Sequence, residues 1–492
     1  FQEAMKGLGA QNTGKVDLGK YLRDHVPDQI FAPGSTPSYS NYGAALAGYI
    51  VERVSGQPFD AYLDEHIYKP LGMTHTSIAQ PLPATLQPDM SKGYQLASGE
   101  PIPFEIINGY PAGSQSSSAL DMTKFMIAHL EGGAYNGARI LKPETVAQMH
   151  DTVTTLDPRA NGIALGFYET ARGDLRTISH GGDTVPFHSD MHLIPSRHFG
   201  FFVSYNSAGR GDGAPRNALW RKFRERYFGA EVADGAPAVK NAKEVASEVA
   251  GSYATSRRAD TSIIKALTAL SQATVSANDD GTITVDVLRG LNGQPRRWEP
   301  TAKGEFREVN GAAKLVFVGN QQMTLLTSGA GVLVFQRVQP IQNAIYVLAS
   351  TGAAALVLIL NLVGWPIAAF VRRRHGAALN LLPVDHALRL ATMASIAALL
   401  TFIVGIFATL IPHLEDPWTL DDTLDPTLRM FQYAGVAGGV GALFAVASAI
   451  QSWRSSMRSL SGRLKETIVA LAYVALLWFA WTMNLFDFTL RY

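Results

Sequence analysis

The sequence predicts three parts in series: an α/β domain, a small all-β domain and a bundle of four membrane-spanning helices. Helical and strand patterns mix over residues 1–228, short β-branched runs dominate 242–339, and long uncharged apolar runs fill 340–492. The length agrees, because 492 residues at about 150 per domain give roughly three domains.

Composition narrows the function. Charged residues make up 17% of the chain, below the ~25% of an ordinary soluble domain, so part of it is expected in a membrane. The 42 Lys and Arg against 41 Asp and Glu leave a net charge of +1, which gives no reason to expect a nucleic-acid partner. Cys is absent, which excludes disulfides, thiolate metal sites, iron–sulfur clusters and a cysteine nucleophile. The chain starts at Phe1 with no basic segment and apolar core ahead of the globular part, so no signal peptide is expected and an N-terminal piece is expected to be missing.

The four apolar runs are about Ala344–Val371, Ala391–Ile411, Phe431–Gln451 and Thr467–Asn484, none with a charged residue inside. At 1.5 Å per residue each spans, or nearly spans, ~30 Å of hydrocarbon. The gaps alternate in sign. Arg372, Arg373, Arg374 and Arg389 face Asp385 in the first. Glu415, Asp416, Asp421, Asp422 and Asp425 outweigh Arg429 in the second, and Arg454, Arg458, Arg463 and Lys465 outweigh Glu466 in the third. Basic short loops stay cytoplasmic, so residues 1–340 and Tyr492 are expected outside the cytoplasm, in a multi-pass protein of the cell (inner) membrane. Pro366 is expected to kink the first span, and Gly435 with Gly439 forms a G-x-x-x-G pair suited to packing within the bundle.

Residues 229–241, rich in Gly, Ala and Pro, read as a linker. Within 242–339 the runs Thr282–Val287, Ala313–Val318, Gln322–Leu326 and Val332–Val338 read as strands, with turns at Asn278-Asp279-Asp280-Gly281 and Val309-Asn310-Gly311, and imply a small barrel or sandwich.

Two stretches of the first part could carry chemistry. Pro33-Gly34-Ser35-Thr36-Pro37-Ser38-Tyr39-Ser40-Asn41-Tyr42-Gly43 is a turn-rich loop. A helix follows it, with Ala44, Ala47, Ile50, Val51 and Val54 on one face and Gly56 as its stop. A second helix, about Phe59–Tyr68, leads into Pro70-Leu71-Gly72-Met73, and a third starts at a Ser118…Asp121 capping-box pattern and runs to Gly132. In the other stretch, Thr177–His180 reads as a strand ending in a glycine-rich turn, Gly181-Gly182-Asp183. Asp190–Ile194 and Phe199–Tyr205 then form a hairpin around Pro195-Ser196-Arg197.

In this order and spacing, Tyr39-Ser40-Asn41-Tyr42-Gly43, Pro70-Leu71-Gly72-Met73, Ala119-Leu120-Asp121-Met122 and His180-Gly181-Gly182 resemble the serine β-lactamase-like family. The resemblance is to its branch of class C β-lactamases, D-alanyl-D-alanine carboxypeptidases and related esterases, and it covers about residues 1–228. It implies an α/β three-layer β-lactamase/transpeptidase-like domain with a largely antiparallel sheet, incomplete at the N-terminus. Residues 242–339 resemble the β domain often appended to such enzymes.

The family pattern has three elements, Ser-x-x-Lys, Tyr-x-Asn, and Lys-Thr-Gly or His-x-Gly. Tyr39-Ser40-Asn41 fits the second and His180-Gly181-Gly182 the third, but residues 1–38 hold no Ser-x-x-Lys. Ser262-Ile263-Ile264-Lys265 has the letters, but it follows both other motifs and lies in the β domain, so it is set aside. By resemblance, the absent Ser is the nucleophile and its Lys helps to deprotonate it. Tyr39 shares the base role, which requires a phenol ionisation lowered from ~10 by nearby positive charge. Asn41 hydrogen-bonds the substrate amide, His180 stands for the usual Lys, and the backbone N–H of Asp183, beside Gly182, gives half the oxyanion hole. Structural alternatives stay open. Tyr39 would be a core tyrosine, Asn41 an N-cap and His180 an ordinary strand residue.

His188, His192 and His198 are the rival chemistry, but four strand residues put His188 and His192 about 13 Å apart, too far to share one ion. No metal or other cofactor is implied. The expectation is therefore a membrane-anchored, extracytoplasmic serine hydrolase of peptides, amides, esters or lactams that lacks its nucleophile and is inactive as written. The other reading is a non-catalytic ligand-binding or sensory protein. A transporter is disfavoured by the uncharged spans. The partners are a small-molecule or peptide substrate and a lipid membrane, and the sequence leaves the oligomeric state open.

Overall fold

The computed structural model describes residues 17–208, 214–229, 239–269, 271–290, 292–311, 313–319, 322–325, 332, 334–377, 381–413, 419–456 and 458–492. Residues 230–238 of the expected linker, and Glu415 and Asp416 of the acidic loop, lie outside the described residues. The described residues form two compact units. One holds residues up to Arg258 together with 272–338, and the other holds 259–271 with the chain from Gln339.

In the first unit, α1 (Leu18–Asp24), α2 (Asn41–Ser55), α3 (Ala119–Leu130) and α4 (Pro143–His150) precede a four-stranded antiparallel sheet. Its strands β1 (Tyr168–Ala171), β2 (Thr177–Asp183), β3 (His188–Ile194) and β4 (Phe199–Tyr205) lie in the order β4-β3-β2-β1, and α5 (Ala214–Phe228) follows. Alternation along the strands builds the layers. Ile178, Leu193 and Phe202 share one apolar cluster with Met126 of α3, and Gly200 lets the Met126 sulfur sit close to the sheet. The opposite face carries His192 and Phe199, which stack on Trp220 and Phe223 of α5, and Phe201, whose ring is tilted against Trp220. The result is helix, sheet, helix.

Three local expectations change. The apolar stripe predicted to be the buried face of α2 is exposed, with Ile50 at 53% and Val54 at 83%, whereas Ala45 and Gly48 are buried against neighbours that include Pro111. The helix does stop at Gly56, which takes a left-handed φ of 73°. Ser118 caps α3 by accepting from Asp121 N–H at 3.2 Å, but the Asp121 carboxylate does not complete a box. It accepts from His75 N–H (2.6 Å) and Thr76 Oγ1 (2.9 Å) and pairs with Lys124 (2.8 Å). Finally, Gly181-Gly182-Asp183 is not a turn but the end of β2, paired with β3 through Gly182↔Ser189 and Asp183↔His188.

Eight further strands close an antiparallel barrel: β5 (Gly251–Thr255), β6 (Ala273–Ala277), β7 (Ile283–Arg289), β8 (Pro295–Ala302), β9 (Glu305–Glu308), β10 (Lys314–Val318), β11 (Gln322–Leu325) and β12 (Phe335–Arg337). Tyr253, Trp298, Phe306 and Phe317 fill it, and α6 (Ala242–Val249) adds Val245, Ala246 and Val249 to the same core. Gly281 and Asn310 take positive φ at the two predicted turns.

The second unit holds α7 (Ala344–Arg374), α8 (Pro383–Leu410), α9 (Asp425–Arg454) and α10 (Leu460–Thr482), four helices long and apolar enough to cross a membrane. Helix α7 continues through Pro366. The helices outrun the uncharged runs, so loop charges become helix-end charges. Arg389 meets Glu466 at 2.7 Å, and Glu466 also accepts from Ser448 Oγ at 3.0 Å. The close-packing stripe on α9 is Gly435, Gly438 and Gly441, not Gly435 with Gly439. A Cβ at Gly438 would lie 2.9 Å from the Leu399 backbone of α8, while one at Gly439 would meet only Leu477 at 3.9 Å. Residues 259–271 join this unit. Ile263, Ile264 and Leu267 belong to its apolar cluster, and Asn484 Nδ2 donates to the Asp260 carbonyl at 2.9 Å. The Ser262…Lys265 letters therefore lie outside the barrel strands.

Candidate active site

Tyr39 sits in the loop ahead of α2. The Ser40 hydroxyl accepts from Gly43 N–H at 3.0 Å and is the N-cap, so Asn41 is the first residue of the helix and not its cap. The spacing of the motif thus has a local reason: one hydroxyl starts the helix and leaves the flanking Tyr39 and Asn41 side chains for other work.

His180 comes from β2. Its ring centroid lies 6.2 Å from that of Tyr39 and 5.3 Å from that of Tyr168 on β1. Pairing between β1 and β2 stops at Tyr168↔Ser179, so among the described residues the edge of β2 from His180 to Asp183 is open on that side. Tyr168 Oη reaches across and accepts from the Gly181 N–H at 2.5 Å. N–H directions repeat every second residue, so the Asp183 N–H points to this same edge. Gly182 has nothing within 4 Å of where a Cβ would be. The site is therefore a strand edge with free approach, flanked by two phenols and an imidazole.

Charge around the edge is unequal. Burial pulls His180 below the ordinary imidazole value, against opposing effects of a backbone hydrogen bond at Gly181 and of Asp190. Burial pushes the Tyr168 phenol up to about 12. Burial also pushes Asp183 up, but hydrogen bonds from Arg216 and His188 outweigh it and hold the carboxyl below its usual value. Arg216 of α5 donates to Asp183 Oδ2 (2.7 Å) and to the Gly182 carbonyl (3.1 Å), and His188 Nδ1 lies 2.6 Å from Asp183 Oδ1. The Asp183 side chain thus braces the end of β2, leaving its backbone N–H as the group that faces the edge.

Tyr39 and His180 are brought together, and Gly182 and Asp183 lie on the same strand as His180. Asn41 stands two residues from Tyr39, half-buried at the start of α2. The three histidines weighed as metal ligands are engaged separately: His188 with Asp183, His192 with Asp190 at 3.0 Å and stacked on Trp220, and His198 near Glu131. Two residues that complete the cluster carry no sequence motif. Tyr168 is found only by strand register. Arg257, whose guanidinium carbon lies 5.3 Å from the Tyr39 ring centroid, is found only once the barrel closes.

Residues 3–224 match the family model described as Beta-lactamase. A candidate D-alanyl-D-alanine carboxypeptidase of Escherichia coli K12 is 32% identical over 161 residues, covering 27% of this chain and 37% of the relative. A candidate penicillin-binding protein, PbpX, of Bacillus subtilis 168 is 34% identical over 134 residues, covering 26% and 32%. The chain thus spans about a third of the length of these curated relatives. A crystal structure of SurE superimposes with a TM-score of 0.43 at 19% identity, over 68% of this chain and 77% of that one. Residues 3–224 are thus the part of this chain that the Beta-lactamase family model matches, and to it the chain adds an eight-stranded barrel and four apolar helices.

Proposed function

We propose that the protein is a membrane-anchored serine hydrolase that works outside the cytoplasm by acyl transfer through a serine ester. One observation carries this reading: Tyr39 and His180 converge beside the open edge of β2, where Gly182 leaves room for an acyl group. Tyr39 shares the proton-accepting role, Asn41 hydrogen-bonds the acyl amide, and His180 orients the substrate. The Asp183 N–H donates to the developing oxyanion, as preorganised donors do in acyl transfer. A largely neutral His180 in place of a lysine removes a fixed cation from the substrate side and favours peptide or ester substrates over lactams. The basic residues Arg372, Arg373, Arg374, Arg389, Arg454, Arg458, Arg463 and Lys465 cluster at one set of helix ends, which supports an extracytoplasmic hydrolase domain.

Residues 1–38 offer no Ser-x-x-Lys, so turnover needs a nucleophile this sequence does not provide in that form, and the chain alone is expected to be inactive. The same observation favours a second reading, ligand binding without turnover. Fluorophosphonate labelling of native membranes, with the mass of the intact protein and of the labelled peptide, separates the two. A product heavier than 53.1 kDa labelled at a serine ahead of Phe1 supports the hydrolase. An unlabelled product of that mass replaces it with the binding reading.

A further inference from the structure

A fixed cation beside Tyr39 comes from the barrel. Arg257 follows β5, and hydrogen bonds on neighbouring residues hold it in register with the Tyr39 loop. Ser256 Oγ donates to the Pro37 carbonyl (2.6 Å), Ser38 Oγ donates to the Ser256 carbonyl (3.2 Å), and Tyr39 N–H donates to the Val332 carbonyl (3.1 Å). Ser256 is fully buried and also accepts from Val334 N–H (3.2 Å), so the stitch is shielded from water.

We infer that Arg257 is a positioning residue for the proposed acyl transfer: its guanidinium favours the Tyr39 phenolate and brings that phenol's ionisation toward neutral pH. The inference rests on the reading of Tyr39 as a proton acceptor. A cation over an aromatic face is attracted to the neutral ring, and more strongly once the ring carries the negative charge of a phenolate. Arginine keeps its charge at every working pH, so this field does not switch off.

Among the described residues, the other groups placed near the ring by its contacts do not supply it. His180 of β2 lies 6.2 Å away ring to ring, and burial leaves it largely neutral near pH 7. Tyr168 of β1 interacts with Tyr39 and stays a neutral phenol. Asp190 of β3 acts on both His180 and Tyr168 and opposes a nearby negative charge. Arg216 of α5 is committed to Asp183 and to the Gly182 and Ser189 carbonyls, and Arg258 lies over Phe31.

The test is a direct titration. The full chain, labelled with [13Cζ]tyrosine and held in nanodiscs, is followed by NMR against pH, with the Tyr39 line assigned by its loss in Tyr39→Phe. Arg257→Met is expected to lower the Tyr39 ionisation constant by about tenfold, one pKa unit. Arg257→Lys is expected to recover part of that shift, with the melting temperature of both variants unchanged. Identical Tyr39 titration in the parent and in Arg257→Met overturns the inference, as does a lysine variant that recovers nothing. Should the methionine variant fail to fold, Arg257→Gln reads the same shift. This readout is independent of turnover. A chain that shows the shift but is never labelled by a fluorophosphonate overturns the acyl-transfer reading and leaves the Arg257–Tyr39 coupling standing.

Discussion

The beta-lactamase-like domain contains two histidine clusters with similar electrostatics and opposite surroundings. In one, His129 Nδ1 and His150 Nε2 lie 3.1 Å apart with rings stacked, and Phe125 and Phe167 close over them. Arg176 donates to the His150 carbonyl (2.7 Å) and to the buried Glu169 (2.6 Å), which also accepts from Thr152 Oγ1 and Gly162 N–H. Burial holds His129 down at about 4 and lowers His150 too. In the other cluster, His180 is lowered by the same cause but faces Tyr39, Tyr168 and a strand edge with empty space beside Gly182. A lowered histidine therefore marks burial. What distinguishes the candidate site is access, through a strand whose neighbour stops short and a glycine that leaves the approach clear.

The comparison can be broken in four ways, from the largest effect to the smallest. Removing one hydroxyl from the open cluster with Tyr39→Phe in a full-length protein that carries the nucleophile is expected to cost about 10²- to 10⁴-fold in turnover. The melting temperature should stay the same, and unaltered turnover would remove Tyr39 from the mechanism. In the sealed cluster the penalty moves to stability. His129→Ala is expected to cost about 2–4 kcal/mol in denaturant unfolding, with turnover per folded molecule retained.

Acid separates the clusters further. A folded-state ionisation below the unfolded ~6.5 means that the folded protein binds fewer protons, so its stabilising contribution is complete above pH 6.5. It is lost as pH falls toward about 4, by up to about 3 kcal/mol for His129. Melting curves across that window should slope downward with acid, and His129→Phe should flatten them. The smallest effect is Gly182→Ala. Its Cβ meets nothing within 4 Å, so stability should change by less than about 1 kcal/mol. If the edge receives substrate, KM should rise while the melting temperature stays put. An unchanged KM would place substrate elsewhere.

The legible parts of the sequence were those whose pattern is local. Phe199–Tyr205 alternates apolar residues between two packed faces and was placed to the residue. The four apolar helices were legible from length alone. Barrel strands β5, β6, β8 and β9 were not. In β8, Pro295 and Pro300 argue against a strand, yet the register shifts between Pro300 and Ala302, an irregularity at the very place where a residue without N–H sits. The apolar face of α2 was assigned by periodicity, but burial depends on what packs against a helix, and Pro111 and Phe59 meet it on the Gly48 side. The site divides likewise. Tyr39, Asn41 and His180 stand in motifs, whereas Tyr168 and Arg257 are brought to Tyr39 by strand register and barrel closure across more than a hundred residues.

The excursion between β5 and β6 has a practical consequence. Ala259, Ile263, Ile264, Ala266 and Leu267 are buried in the apolar cluster of the unit that holds the four apolar helices. A chain cut after Val338 to free the first unit would carry this segment without its cover, as a contiguous greasy patch of the kind that drives aggregation. Removing the helices alone should therefore yield a protein that still needs detergent, and the soluble form requires a second edit that shortens or polarises residues 259–271.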